Sequence, residues 1–486
     1  MIGKSLPEYL FIRFSIFLLR TNQLRGSLRS THVIASLYTA ARLVTSGIAL
    51  SLPVECWLFA ECLFYFLVYL PRHYYLQRPA IHPPIAPRAH RIALFNQCVA
   101  YLPNFDRFTK LWFRLISTTT IKRDNYIDWI LWALFSTDRD HIDIHDPTLN
   151  EEVNGYINVV ERLIGHKIEA GRNPSIEPMR ITLDPVVTLH RPLVWYAIVA
   201  IVDLFTYMSL HQNGFKHYSL SPSSSFPPRL QGIISKRSLV NIPYWYRPHK
   251  SPDKRPVVML HGIGIGLYPY VPFLVALKRI DPEVGILALE ILPISMRITH
   301  AMFSQEQFIE QLIQILDHHK MNEFILVSHS YGSVLTNHIL RSSLASRVAS
   351  IILVDPVTFL LHLGDVAYNF IYREPRTANQ WQLWYFASRD IGVSHTLSRH
   401  FFWGDNIMFK EDLKGRKVGV LLSGEDQIVD TKEVWKYLTG EKDTQPAPIW
   451  RSDEEDLSVL WFPRLDHAQI FDKFESRRSL LELLKQ

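Results

Sequence analysis

Ser328-His329-Ser330-Tyr331-Gly332 follows an apolar run from Glu323 to Val327 and precedes a helix-like stretch from Val334 to Leu344. Serine at the apex of a tight strand-to-helix turn has a strained backbone and a hydroxyl lifted clear of the sheet, which is how a nucleophile elbow is built. Small residues two places before and after the serine let the helix approach the strand. The usual pattern has glycine at both places; here Ser328 stands at the first and is small enough to fit. A serine hydroxyl is a weak nucleophile by itself. It needs a base in reach and a third group that orients the base.

Candidates for those roles follow in chain order. The short apolar run Pro256 to Leu260 leads into His261-Gly262-Ile263-Gly264-Ile265-Gly266. A glycine-rich turn at a strand end presents backbone N–H groups to a developing negative charge, each worth on the order of 3 kcal/mol. The expected donors are the N–H groups of Ile263 and Tyr331, with His261, Gly262 and Gly332 shaping the turns that carry them. A phosphate-cradling loop is the competing reading. The glycines give no G-x-x-x-x-G-K, and no acidic residue follows at dinucleotide-site spacing. Arg416 to Leu422 reads as a strand ending in Ser423-Gly424-Glu425-Asp426. A carboxylate there can reach an imidazole and fix its tautomer. Asp426 is preferred, Glu425 is expected to face solvent, and Asp355, at the end of the strand Ile351 to Val354, is the rival acid. A last strand, Leu457 to Phe462, is followed by Asp466-His467-Ala468. His467 is the expected general base by position and order, with Asp466 a surface or supporting group.

The order Ser330, Asp426, His467, with His261-Gly262 upstream, resembles the α/β-hydrolase family over roughly residues 231–486. The resemblance implies a mostly parallel sheet flanked by helices, a serine nucleophile, a two-N–H oxyanion hole and a covalent acyl-enzyme. Serine at the apex argues against the members of this family that use aspartate there. The departures are Ser328 for glycine and Ala468 where many members have glycine after the histidine.

The rest of the chain says where such a site would work. Of 486 residues, 48% are hydrophobic and only 20% charged, with a net charge of +6. That is apolar for a two-domain soluble protein, and no lysine/arginine block of the nucleic-acid type occurs. Three cysteines, Cys56, Cys62 and Cys98, imply no disulfide framework and a reducing compartment, or a membrane face exposed to one. His141, Asp143 and His145 would share a face if extended, but a capping loop is the simpler reading. No metal, cofactor or nucleic acid is expected, and the oligomeric state is not read.

Residues 1–218 read as a helical, membrane-associated region, 219–230 as a linker, and 231–486 as the catalytic domain. Tyr9 to Leu19 reads as an interfacial or anchoring helix. Val54 to Leu70, bounded by Pro53 and Pro71, is the strongest membrane candidate, although Glu61 falls near its centre. With His32 to Leu52 it reads as a helical hairpin. Leu193 to Leu210 is a second candidate and carries Asp203. Arg25, Arg29, Arg72 and Arg78 flank both sides, so charge bias does not set an orientation. Pro79 to Pro87 is a connector, and aromatics from Ile92 to Phe135 recur at helical intervals. Gly232 to Ser235 and Leu239 to Tyr246 read as opening strands or a hairpin. A cap insertion is expected over about 357–415, rich in aromatics (Trp381, Trp384, Tyr385, Phe386, Phe401, Phe402, Trp403), which suits acyl chains or another large apolar group. The functional expectation is a membrane-associated serine hydrolase of a lipid-like ester, on an intracellular membrane such as the endoplasmic reticulum or a lipid-droplet surface. The alternatives are a catalytically silent scaffold and an acyltransferase at a membrane.

Overall fold

The computed structural model describes residues 36, 38, 39, 51–441, 445–452 and 456–485. The helix expected at Tyr9 to Leu19, and all of His32 to Leu52 except Ser36, Tyr38, Thr39, Ser51 and Leu52, lie outside the described residues.

Ten strands form one sheet: β1 (Lys216–Ser219), β2 (Lys236–Arg237), β3 (Tyr244–Arg247), β4 (Val257–Leu260), β5 (Ile286–Leu289), β6 (Phe324–His329), β7 (Val348–Val354), β8 (Lys417–Ser423), β9 (Ile449–Arg451) and β10 (Leu457–Phe462). Their order is β2-β1-β3-β5-β4-β6-β7-β8-β10-β9. Every pair from β5 across to β10 is parallel. β3 and β9 run antiparallel to β5 and β10. Parallel strands are covered on both faces and read as continuous apolar runs, and β4 (Val-Val-Met-Leu) is buried throughout. Its alternate residues go to different cores. Val258 and Leu260 pack with Phe308 and Leu312 of the helix Gln305–His318. Val257 and Met259 pack with Phe273 and Leu274 of the helix Val271–Ile280. Ser304 and Gln307 form a capping box that starts the Gln305–His318 helix where the sequence changes from loop to amphipathic.

The sequence-level strands reappear within a few residues, with two differences. β5 was not anticipated, although Ile-Leu-Ala-Leu is a fully buried run. Of the opening strands or hairpin expected at Gly232 to Ser235 and Leu239 to Tyr246, no hairpin forms and only the end of the second segment is strand. Leu230–Ile233 is a turn of 3₁₀ helix, β2 pairs in parallel with β1, and Pro243, which lacks an N–H for a ladder, precedes a β3 confined to Tyr244–Arg247.

The helical half is joined to the sheet. Trp112, Ile130, Trp132 and Ile157, from helices Phe105–Trp112, Arg123–Phe135 and Pro147–Ile164, belong to the same continuous core as β4, β6 and the cap residues Phe401 and Trp403. The segment read as a linker is anchored too: Arg229 is buried against Glu290 and Asp203. Of the acidic run before Pro147–Ile164, Asp146 caps that helix and His141 Nδ1 hydrogen-bonds to Asp138.

The apolar helix expected at Val54 to Leu70 is longer than its flanking prolines suggest. It runs from Leu52 to Leu76, 25 residues, or roughly 37 Å at 1.5 Å per residue. Pro71 lies inside it. The missing N–H and the ring clash of a mid-helix proline are absorbed by a π turn over Tyr65–Tyr69, immediately before it.

Candidate active site

Ser330 adopts φ 51°, in the left-handed region that side chains other than glycine rarely occupy. Such strain costs on the order of 1–3 kcal/mol and persists only where the surroundings enforce it. They do so here from both sides of the residue. Ser330 N–H donates to the Val354 carbonyl (3.0 Å), and Ser333 donates to the Ser330 carbonyl through its hydroxyl (2.6 Å). Gly332 is required by space, since a Cβ there would come within 2.4 Å of the Leu260 carbonyl oxygen. Ser328 departs from glycine without conflict: it is buried, and its hydroxyl accepts a hydrogen bond from Thr336 Oγ1 (2.9 Å).

Three loops at the carboxyl ends of β6, β8 and β10 meet at this serine. His467 Nε2 lies 2.8 Å from Ser330 Oγ, and His467 Nδ1 lies 2.6 Å from Asp426 Oδ2. The other oxygen of Asp426 accepts from the N–H groups of Ile428 (2.7 Å) and Val429 (3.0 Å), which fixes the carboxylate in its turn. A strand-to-helix elbow at the centre of a mostly parallel sheet, with its partners in the chain order serine, aspartate, histidine, is one recognised arrangement. The fold is that of the α/β-hydrolases.

No family model matches the chain, and no curated protein matches it. Solved structures similar to it include a membrane phospholipase A described as a bacterial virulence factor (12% identity, 60% of this chain and 93% of that one, TM-score 0.38). A putative lipase from Acinetobacter baumannii (12%, 58% and 93%, 0.37) and a carboxylesterase from Bacillus subtilis (12%, 58% and 98%, 0.35) are similar as well.

Asp355, the rival acid, does not contact the imidazole by hydrogen bond. It accepts from Ser423 N–H (2.8 Å), Ser423 Oγ (2.9 Å) and the N–H of Ala468 (3.0 Å). It therefore ties the ends of β7 and β8 to the residue after His467. Ala468 has φ 70°, the conformation for which glycine would be the easier residue. Asp466 is buried, not a surface group. It accepts from the N–H groups of His467 (2.7 Å) and Gln427 (3.1 Å) and from Asn379 of the cap (3.0 Å). Glu425 is exposed, as its sequence suggests.

The Gly262 turn is held from below. Gly262 N–H donates to the Tyr270 hydroxyl (3.0 Å), which hydrogen-bonds in turn to His329 Nδ1 (2.7 Å). Burial, with His467 and His261 nearby, pushes His329 well below the ordinary histidine value, leaving Nδ1 able to accept the tyrosine proton. His261 is buried and bonds to the Gly262 carbonyl (2.7 Å) while its Nε2 accepts from Ile291 N–H (2.9 Å). A Cβ on Gly262 would lie 2.7 Å from Ser330 Cβ, so the turn passes directly over the serine. The N–H groups of Ile263 and Tyr331 have no protein acceptor among the described residues.

Beside Ser330 lies an apolar pocket walled by Val357, Phe370, Leu397, Phe401 and Trp403 of the cap insertion, Ile428, and Trp112 of the helical half. The cap aromatics divide by role. Phe401 and Trp403 face the pocket, whereas Trp381 and Trp384 pack on each other and Phe386 packs on Trp195. Trp112 and Tyr270 carry no sequence signal that ties them to the serine. Only the tertiary fold brings them there.

Burial opposes charging His467, but the carboxylate of Asp426, with Asp355 and Asp466 behind it, outweighs burial and pushes the ring up to about 9. Burial and the Asp426 charge raise Asp355, while its three donors favour the ionised form. A base must be neutral to accept a proton, so activity should climb with pH through a midpoint above the ordinary histidine value of about 6.5. Asp355→Asn should move that midpoint down, read from the pH profile of kcat/KM. An unmoved midpoint would mean that Asp355 exerts no charge on the ring. The sign for stability is opposite. A histidine raised in the folded state contributes stability below pH ~6.5 that is lost as pH rises through the folded value.

Proposed function

We propose that this protein is a membrane-associated serine hydrolase of a hydrophobic carboxylic ester. The observation that carries the reading is the Asp426–His467–Ser330 chain of hydrogen bonds at the foot of an apolar pocket. Ser330 Oγ attacks the ester carbonyl as its proton passes to His467 Nε2. The N–H groups of Ile263 and Tyr331 receive the oxyanion. The tetrahedral intermediate collapses, Nε2–H protonates the departing alkoxide, and an acyl-enzyme remains on Ser330. Water then attacks the acyl carbon, giving its proton to Nε2, and Ser330 leaves with that proton. Asp426 holds Nδ1–H throughout, keeping Nε2 toward the serine. A silent scaffold has no need of two aligned bonds of 2.6 and 2.8 Å at a strained serine.

A fluorophosphonate probe tests this on the detergent-solubilised chain. Wild type should be labelled and Ser330→Ala should not. Labelling retained in the variant, or none on folded wild type with lipid present, would overturn the proposal.

The membrane part rests on two helices whose exposed faces are apolar and whose central carboxylates are buried. Along Leu193–Gln212 the exposed residues from Val194 to Met208 are Val194, Ala197, Ile198, Ile201, Leu204, Phe205 and Met208, while Asp203, Thr206 and Tyr207 are buried. Along Leu52–Leu76, Trp57, Phe59, Leu63, Phe66 and Leu67 are exposed and Glu61 is buried. Glu61 accepts from the Leu193 N–H (2.9 Å), and Asp203 is paired with Arg297. Both carboxylates thus face protein, which removes the cost of a charge in lipid that their sequence positions suggest. The chain should float with phosphatidylcholine vesicles. Replacing Ile201 and Phe205 by aspartate should cut the floated fraction several-fold. A wild type that stays monodisperse and unbound without detergent would refute the lipid-facing assignment.

A further inference from the structure

Behind the pocket at Ser330 lies a second apolar cavity, bounded by Cys98, Val99, Phe105, Leu134 and Val160 of the helical half. The two cavities share Trp112 and Trp403 as walls. We propose that these two indoles form a fixed partition that ends the acyl site, so that they set the longest acyl chain the serine can process. The distal cavity is then the space into which a longer chain extends once the partition is shortened. This inference rests on the ester-hydrolase reading.

Three observations make the partition rigid rather than a movable gate. Each indole is pinned by its own N–H: Trp112 Nε1 donates to the His362 carbonyl (2.8 Å), and Trp403 Nε1 to the Ala133 carbonyl (2.9 Å). Trp112 is wedged between Trp129 and Trp132, with ring centroids 5.6 and 5.4 Å away. Gly364 lies so close behind it that a Cβ would come within 3.1 Å of the ring. Side chains in such packing have one arrangement, and a chain that meets them stops.

The chemistry of the distal cavity selects its occupant. No polar atom of its wall is open to the space: His362 Nε2 is bonded to the Tyr101 carbonyl (2.8 Å), and His362 Nδ1 and Trp129 Nε1, which have no partner among the described residues, are buried. Burial pushes the Cys98 thiol up to about 12, so it is neither a nucleophile nor an anion there. Such a wall offers methylenes contact and offers a headgroup nothing. Trp403 also borders a third cavity containing His90, Arg91 and Asp405. That space suits an alkyl chain poorly, so the apolar cavity is the extension.

The test is an acyl-length series of p-nitrophenyl esters (butyrate, octanoate, palmitate) hydrolysed by the full chain in detergent. Trp403→Leu should raise the palmitate-to-octanoate ratio of kcat/KM by at least about tenfold, the scale on which an apolar pocket admits or refuses a few methylenes. Adding Val99→Phe to that variant, which fills the distal cavity from its partly exposed side, should return the ratio to the wild-type value. If circular dichroism shows that Trp403→Leu is unfolded, Trp403→Phe and Trp112→Phe should give smaller shifts in the same direction. A folded partition variant with an unchanged ratio, or a shift that Val99→Phe does not reverse, overturns the inference and leaves the hydrolase reading standing. A wild type that hydrolyses none of the esters and takes no fluorophosphonate sinks the hydrolase reading and this inference with it.

Discussion

Ser330→Ala, His467→Ala and the double variant should all lose ester hydrolysis by nearly the same factor, about 10⁴- to 10⁶-fold in kcat. The reason is geometric. Ser330 Oγ and His467 Nε2 lie 2.8 Å apart and in the proposed mechanism are two ends of one proton transfer, so removing either end removes the event, and removing the second end costs little more. What survives is the contribution of the Ile263 and Tyr331 N–H groups and of the apolar pocket, neither of which needs the serine hydroxyl. The measurement is a set of three turnover numbers on one substrate, with circular dichroism confirming that each variant is folded. Losses that multiply, so that the double variant falls by the product of the single factors, would mean that the serine and histidine act independently and that the hydrogen bond between them is incidental. A His467→Ala variant within about tenfold of wild type would move the base elsewhere.

Asp203→Ala should destabilise the fold by about 3–5 kcal/mol, the range found when one member of a buried ion pair is removed and its partner is left charged in a low-dielectric interior. Asp203 sits on the Leu193–Gln212 helix and receives two hydrogen bonds from the Arg297 guanidinium, one from Nη2 and one from Nε at 3.1 Å. Arg229 Nε lies 3.4 Å away, and Arg229 Nη1 pairs with Glu290 at 2.7 Å. Two arginines and two carboxylates are thus balanced out of contact with water. Deleting one carboxylate leaves Arg297 with only the Ser295 carbonyl as hydrogen-bond acceptor among the described residues. The check is denaturant unfolding in a fixed detergent, with Ile201→Ala on the outward face of the same helix as control, expected within about 0.5 kcal/mol of wild type. A loss below about 1 kcal/mol for Asp203→Ala would show that water reaches the cluster.

Much of the site is legible in the chain because each of its parts has a local signature. The elbow announces itself by small residues around Ser330, and Asp426 and His467 each follow a strand that reads as an apolar run. Residues whose place depends on distant packing are not legible. Tyr270 is 59 residues from His329, the histidine it bonds to. Trp112 meets the cap through a carbonyl 250 residues away. Neither spacing follows from periodicity. The choice between Asp426 and Asp355 was open because both end apolar strands with a carboxylate. The geometry separates them by what each touches, an imidazole nitrogen for Asp426 and three backbone or hydroxyl donors for Asp355. Pro71 misled for a physical reason. Proline ends most helices, but a π turn one step earlier opens the backbone enough to let this helix continue.

The bond from Leu193 to Glu61 also constrains how the protein is made. The two residues are separated by 132 positions. At 5–20 residues per second, the ribosome delivers the acceptor on the order of ten seconds before its donor exists. During that interval the Leu52–Leu76 helix has emerged with a carboxylate on one flank and nothing from the Leu193–Gln212 helix to receive it. On the lipid-facing reading proposed above, such a segment is a poor candidate for immediate lateral release into lipid, because its acid would enter hydrocarbon before the Leu193 donor exists. On that reading the Leu52–Leu76 helix is expected to be held, by the insertion machinery or by a chaperone, until Leu193–Gln212 arrives. The two are then best delivered as a pair.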